Sequence, residues 1–106
     1  MFQNRIFVFT PNGDVIELPD GSTPIDFAYH IHTDIGNKAI GVKINDEMAA
    51  LDTELKSGDM ADIITDKNRK GPSRDWLKFV KTRSARDKIR QYTKPRLWER
   101  LKPWKK

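Results

Sequence analysis

The chain has 106 residues, a formal net charge of +5, 37% hydrophobic residues and a mean hydropathy of −0.72. This composition allows one small domain with an appendage, and the chain has no apolar run of the roughly 18 residues that a membrane span needs. The absence of cysteine excludes a disulfide framework and a thiolate metal site. We therefore expect a cytoplasmic protein with a small core.

The first segment predicts a β-hairpin. Residues 5–10 carry β-branched and aromatic side chains on both faces, as a central strand does. An Asn-Gly turn follows at residues 12–13, and residues 15–18 return as the second strand. Pro19, Asp20 and Gly21 then end this strand.

The next stretch, residues 22–36, predicts one continuous helix from Thr23 to Ile35. Thr23 suits the N-cap, Pro24 the first helical position, and Asp26 the third residue of a capping box. Gly36 is expected to end the helix in a left-handed conformation. The apolar residues share one face: Phe27, Ala28, Ile31 and Ile35, with Ile25 at its edge.

Two histidines occupy different positions on this predicted helix. His30 points away from the apolar face, into solvent. His32 lies on the border between core and water, where one edge of its imidazole is accessible. Because residues two apart on a helix do not face each other, we expect no metal site between them.

The remaining strands complete an α+β order. Residues 38–45 alternate, with Ile40, Val42 and Ile44 toward one face of the strand. Residues 48–50 pair back briefly, residues 51–55 turn Leu51 and Leu55 inward, and residues 60–65 form the last strand. The order strand, strand, helix, strand, short strand, strand predicts a β-grasp fold, as in ubiquitin, with the first and last strands side by side.

The charge changes sign at residue 66. Residues 1–66 contain 4 Lys+Arg and 12 Asp+Glu, a net charge of −8, whereas residues 67–106 contain 16 and 3, a net charge of +13. We therefore divide the chain into a β-grasp domain at residues 1–66 and a basic linker with a helical extension at residues 67–106. Such an arm suits a polyanion or docks on the acidic domain.

The extension predicts two short amphipathic helices. Ser73 caps the first, and Ser84 with Asp87 begins the second. The first carries Trp76, Leu77 and Val80 on one side, and the second carries a stripe of Ala85, Ile89 and Tyr92 and ends before Pro95. Residues 96–102 predict a further amphipathic turn. Because short helices bury little alone, we expect residues 73–92 to be less stable than the β-grasp domain.

Several motifs resemble the TGS domain of the long RelA/SpoT-type alarmone enzymes. They are VFTPNGD at residues 8–14, LPDGSTPIDFAY at 18–29, IHTDIG at 31–36 and LKSGD at 55–59. The continuation, GPSRDWLKFVKT at 71–82 and ARDKIRQ at 85–91, is similar to the start of the helical segment that follows TGS in those proteins. The chain departs from the family at Asn37, where a second histidine is frequent, and from Thr93 onward.

The resemblance implies a regulatory role in the stringent response. In that family the TGS domain senses amino-acid starvation by holding the CCA end of uncharged tRNA on the ribosome, and the enzymatic domains lie upstream. A full-length parent would be a GTP pyrophosphokinase or a (p)ppGpp hydrolase. The partners that follow are uncharged tRNA and ribosomal RNA, with no membrane.

The candidate tRNA-binding residues are His32, Lys38, Lys67, Arg69, Lys70 and Arg74. His32 matches the family histidine that faces the tRNA end, and an imidazole there donates to a phosphate or ribose or stacks on a base. The alternative is a packing histidine that interacts with the helix C-terminus. The cations contact RNA phosphates or form a solvated helix surface, together with Lys78, Lys81, Arg83, Arg86, Lys88 and Arg90. Trp76 is expected to pack in a small helical core.

An intrinsic enzyme is disfavoured, because the sequence has no glycine-rich phosphate loop, nucleophile–base set or metal-ligand cluster. We expect no cofactor. Two function classes stay open. One is an RNA-sensing regulatory module, favoured by the basic arm and His32. The other is a ubiquitin-like protein-interaction module that docks on an enzymatic domain or a carrier protein, favoured by the acidic domain.

Overall fold

The structure is a computed structural model, and it describes residues 4–93. The strands are β1 (Arg5–Phe9), β2 (Val15–Pro19), β3 (Ala39–Ile44), β4 (Glu47–Ala49) and β5 (Ala61–Thr65). The helices are α1 (Pro24–Ile31), α2 (Thr33–Asn37), a 3₁₀ helix (Arg74–Lys78) and α3 (Arg83–Thr93). The predictions of a stop at Pro95 and a turn over residues 96–102 lie outside the described residues.

The strands form two antiparallel sheets, β1-β2 and β4-β3-β5. In the first sheet Phe9 lies opposite Val15, and in the second Val42 lies opposite both Ala49 and Ile63. A parallel bridge between Phe9 and Met60 joins the sheets, and the Phe9 N–H donates to the Asp59 carbonyl at 2.8 Å. The α+β β-grasp prediction is confirmed, although the first and last strands meet through this bridge rather than a full ladder.

Two strand predictions were wrong in detail. β1 has apolar residues on both faces, but only one face is buried. Phe7 and Phe9 on the outer face are 46% and 39% exposed, because no other described residues cover that face. In β3 the strict alternation fails, and Ile40 is exposed while Ala39 and Gly41 are buried. A register shift between Ala39 and Gly41 rotates this end of the strand.

The first hydrophobic core lies between the sheets and α1. It contains Ile6, Val8, Leu18, Phe27, Val42, Leu55 and Ala61. Leu55 is fully buried, as predicted for the irregular segment after β4. This core holds the β-grasp domain together and leaves the other side of α1 free to contact the extension.

The second core joins the extension to α1. It contains Ile25, Tyr29, Ala39, Trp76, Val80, Ala85 and Ile89. The prediction that Trp76 packs in a core is confirmed, but that core is shared with α1 rather than formed by the extension alone. The reason is that Ile25 and Tyr29 lie on the opposite side of α1 from Phe27. The relative stability of the two parts stays a prediction.

The caps of the extension were predicted in part. Ser73 caps the first helix, with its hydroxyl accepting from the Asp75 N–H at 3.2 Å, although that helix is 3₁₀ rather than α. Ser84 does not cap α3. Thr82 does so, because its hydroxyl accepts from the Ala85 N–H at 3.2 Å. Tyr92, the last residue of the predicted stripe, is exposed.

Asp26 fastens the extension to the start of α1. The predicted capping box is confirmed, with the Thr23 N–H donating to the Asp26 carboxylate at 2.9 Å. The same fully buried carboxylate also accepts from the backbone N–H groups of Lys81 and Thr82, each at 2.9 Å, and from the Thr82 hydroxyl at 3.0 Å. One side chain therefore starts α1 and holds the segment that leads into α3.

Candidate nucleic-acid interface

The predicted single helix is broken at His32. α1 ends at Ile31, His32 is extended with φ −166° and ψ 144°, and α2 begins at Thr33. The His32 N–H still donates to the Ala28 carbonyl at 3.1 Å, while its Nδ1 accepts from the Asp34 N–H at 3.0 Å. His32 therefore closes one helix with its backbone and opens the next with its side chain, as an N-cap does.

This capping bond determines which edge of the imidazole is available. With Nδ1 accepting, the neutral ring carries its proton on Nε2. The side chain is 64% exposed, so this N–H faces solvent. His32 is thus more exposed than the predicted border position, and the ring presents a hydrogen-bond donor on a residue whose backbone is fixed from both sides.

Gly36 has a role other than the predicted left-handed stop. The glycines with positive φ in the described residues are Gly13, Gly21 and Gly58. Gly36 lies within α2, buried against Tyr29, and a Cβ at this position would overlap the Tyr29 ring. The Tyr29 hydroxyl donates to Asn37 Oδ1 at 2.7 Å. Burial raises the pKa of the Tyr29 hydroxyl, and the nearby Arg69 guanidinium opposes this shift.

A cleft of about 280 Å³ lies at the end of α1, and its lining includes Ile31, the residue before His32. Ile31 and Ile35 line one side, and Ile31 is exposed rather than buried as predicted, because the helix turns at His32. The turn after β1 and the strand β5 supply the rest of the lining, including Pro11, Asn12 and Asp62. The lining of the cleft thus combines apolar with polar and acidic side chains.

Two of the predicted cationic residues, Lys38 and Lys67, are brought together by a backbone hydrogen bond, and a third, Lys70, follows in the linker. Lys38 follows α2 directly, and its carbonyl accepts from the Asp66 N–H at 3.0 Å. This bond brings the start of the linker, with Lys67, to the end of α2. Lys67 and Lys70 are exposed.

The other two predicted cations differ in environment. Arg69 is only partly exposed: its guanidinium stacks over the Trp76 ring, with 4.8 Å from Cζ to the ring centroid, and its Nε donates to the Gly71 carbonyl at 2.7 Å. Arg69 therefore has a structural role besides its charge. Arg74 is exposed at the start of the 3₁₀ helix.

Sequence reasoning missed the two residues that shape this region. Asp26 carried only a capping signal, and nothing in the local sequence points to partners 55 and 56 residues away. Tyr29 was an unassigned aromatic, although its position seven residues before Gly36 could have indicated a close contact.

Within residues 4–93, no three His, Cys, Asp or Glu side chains lie close enough together to form a metal site. None of the helices in that range is long and apolar enough to cross a bilayer.

Comparison with known proteins agrees with this architecture. Residues 6–65 match the model of the TGS domain. The chain is 53% identical over 100 residues to a guanosine-3′,5′-bis(diphosphate) 3′-pyrophosphohydrolase of Aquifex aeolicus, a match that covers 94% of this chain and 14% of that protein. It is 51% identical over 89 residues to the bifunctional (p)ppGpp synthase/hydrolase RelA of Mycobacterium tuberculosis, with coverage of 83% and 12%.

A GTP pyrophosphokinase of Streptomyces coelicolor is 50% identical over 91 residues, covering 85% of this chain and 11% of that protein. The chain thus spans between 11% and 14% of the length of these relatives. The matches extend beyond the TGS model into the helical extension. The chain therefore belongs to the TGS domain family, in the form found in RelA/SpoT-type (p)ppGpp synthetase/hydrolase proteins.

Proposed function

We propose that this chain is the regulatory module of a RelA/SpoT-type enzyme and senses starvation in the cytoplasm by binding the CCA end of uncharged tRNA on the ribosome. The observation that supports this most directly is the geometry of His32. Its backbone is fixed by two helices and its Nε2–H faces solvent. A fixed donor of this kind suits a phosphate or ribose oxygen at the end of a single strand.

The cleft lined by Ile31 and Ile35, the apolar residues on either side of the break at His32, supports the same proposal. Proteins that read single-stranded RNA take unstacked bases onto apolar or aromatic surfaces and hydrogen-bond their edges. Ile31 and Ile35 offer an apolar surface, while Asn12 and Asp62 offer hydrogen-bonding groups at its sides. We propose that a base of the CCA end enters this cleft while His32 contacts the adjoining backbone.

The cations near the end of α2 would hold the RNA backbone. Residues 67–93 contain ten Lys or Arg and two Asp. Lys67 and Lys70 are free to reach phosphates, as is Arg74, whereas Arg69 is engaged with Trp76 and Gly71. We therefore expect Lys67 and Lys70 to contribute more to RNA affinity than Arg69.

The first experiment separates the contact made by His32 from its capping role. His32→Asn keeps a side-chain acceptor for the Asp34 N–H but removes the Nε2 donor, whereas His32→Ala removes both. We expect both variants to weaken binding to tRNA ending in CCA and to leave binding to tRNA lacking CCA unchanged. His30→Ala, an exposed histidine on α1, is the matched control. Binding is measured with free tRNA and with tRNA on ribosomes.

The second experiment tests the basic residues. Replacing Lys67 and Lys70 together by Ala should weaken binding to both tRNAs and flatten the salt dependence, since each phosphate contact contributes a slope of about 0.7–0.9 in log–log units. Replacing the exposed Lys43 and Lys56 of the β-grasp domain changes the net charge equally and serves as control. Equal losses in both pairs would show that only net charge matters.

The second candidate function is docking of this module on an enzymatic domain or a carrier protein. The exposed Phe7, Phe9 and Val15 on the outer face of the hairpin, together with the acidic composition of residues 1–66, favour it. This function predicts equal, feeble binding to the two tRNAs and no effect of His32. If the CCA end makes no difference with or without ribosomes, the tRNA-sensing proposal fails.

A further inference from the structure

The orientation of His32 depends on α2. The His32 carbonyl accepts from the Gly36 N–H at 3.2 Å, and the His32 ring accepts from the Asp34 N–H at 3.0 Å. Both bonds join His32 to the short helix that follows it. A helix of five residues is not stable by itself. Contacts with residues outside α2 must therefore stabilise it and fix its position.

Tyr29 is the residue against which α2 rests. Gly36 is buried against the Tyr29 ring so closely that no Cβ fits between them. One residue further along, Asn37 Oδ1 accepts from the Tyr29 hydroxyl at 2.7 Å. The ring thus supports the middle of α2 and the hydroxyl holds its end. Since burial raises the pKa of this hydroxyl, it keeps its proton and stays a donor throughout the neutral range.

The second core connects Tyr29 to the extension. Trp76, Val80, Ala85 and Ile89 belong to the same buried cluster as Tyr29. The Asp26 carboxylate fastens this part of the chain one turn earlier on α1. Tyr29 therefore shares a core with the extension on one side and supports α2 on the other.

We propose that Tyr29 is a positioning residue for His32: it transmits the docking of the helical extension to α2 and so fixes the direction of the imidazole. Its effect on RNA binding rests on the proposed function, whereas its effect on α2 does not. A sensor built in this way includes residues of the extension, although the TGS domain model matches only residues 6–65.

The test uses the whole chain and two matched tyrosine variants. Tyr29→Phe removes the hydroxyl and keeps the ring. Tyr92→Phe removes a hydroxyl that donates to the Lys70 carbonyl in the extension, and it is the control. We expect Tyr29→Phe to speed amide exchange at Gly36 and Lys38 roughly five- to tenfold, the usual scale for losing one hydrogen bond, and to shift the ring resonances of His32.

Asn37→Ala should reproduce these changes, and the double variant with Tyr29→Phe should add nothing further, because both remove one interaction. The proposal would be overturned if Tyr29→Phe exchanged at the wild-type rate, if the effects added in the double variant, or if Tyr92→Phe produced equal changes.

The RNA-binding measurement is a separate arm of the test. If His32→Asn loses CCA discrimination but Tyr29→Phe retains it, positioning is refuted while tRNA sensing stands. If the CCA end makes no difference to binding, tRNA sensing fails and the exchange data alone decide on Tyr29.

Discussion

Replacing Asp26 by Ala is the strongest test of how the extension is attached. The change removes a fully buried carboxylate. This carboxylate accepts hydrogen bonds both from Thr23, at the start of α1, and from Lys81, in the extension. We expect the extension to lose its hold on α1, so that the loss of stability is greatest in the 3₁₀ helix and α3.

The magnitude follows from the donors that the carboxylate satisfies. Three backbone N–H groups would lose their acceptor, those of Thr23, Lys81 and Thr82, with donor–acceptor distances of 2.9 Å each. A buried donor without a partner costs about 1–3 kcal/mol, and water entering the partly exposed end reduces this cost. We therefore expect a loss of about 3–5 kcal/mol, against a total of about 5–13 kcal/mol for a domain of this size.

The assay is chemical denaturation of the full chain, with hydrogen exchange to localise the effect. Asp75→Ala is the control, because Asp75 is also an acidic residue in a first helical turn but is exposed. Its Oδ1 lies 3.8 Å from Lys78 Nζ, in a surface ion pair. That pair should contribute less than about 1 kcal/mol. Exchange in Asp26→Ala should rise most within the 3₁₀ helix and α3. The role of Asp26 in holding the extension would be refuted by either of two results. One is a loss of unfolding free energy within about 1 kcal/mol of that of the control, and the other is a rise in exchange spread evenly over the sheets.

Three further predictions follow from the region around α1. Gly36→Ala should cost about 1–3 kcal/mol, because its Cβ overlaps the Tyr29 ring; Gly41→Ala, with its nearest neighbour at 3.6 Å, should be near neutral in the same denaturation assay. Thr23→Ala should cost about 1 kcal/mol for the lost N-cap, whereas Thr23→Ser should retain most of the stability, and an unchanged midpoint in Thr23→Ala would refute the cap. Above pH 10, the unfolded chain loses the Tyr29 proton while the folded chain keeps it, so stability should fall with rising pH by up to about 1.4 kcal/mol per unit. Tyr29→Phe should remove this part of the slope, and equal slopes in both proteins would contradict it.

Local sequence signals were sufficient for much of the fold. Thr23, Pro24 and Asp26 mark the start of α1 because capping is a matter of residues within one turn. The strand order is also legible, since turns such as Asn12-Gly13 separate apolar runs. These features arise from interactions between neighbours in the sequence, and the structure has them where they were predicted.

The missed features depend on contacts that are distant in the sequence or on unusual side-chain roles. The break at His32 was hidden because Ile31 and Ile35 continue a helical spacing across it, and histidine is not a usual N-cap. The exposure of Ile40 follows from a register shift against β5, which no pattern within β3 indicates. Of the proposed site, His32 and the lysines were named from the sequence, whereas Tyr29, which donates a hydrogen bond to Asn37 in α2, was not.

Asp26 both caps α1 and binds the extension, and this has a consequence for folding during synthesis. A chain leaves the ribosome from its N-terminus, and domains fold as their residues emerge, at about 5–20 residues per second. When the strands through Thr65 have emerged, Asp26 can cap α1 but still lacks its partners at residues 81 and 82. Ile25 and Tyr29 are likewise covered only in part, by Ala39 and its neighbours, until Trp76 and Ile89 arrive. The β-grasp domain is therefore expected to pass through a nascent stage in which α1 is formed but one of its sides is open, and to close only when α3 has been synthesised.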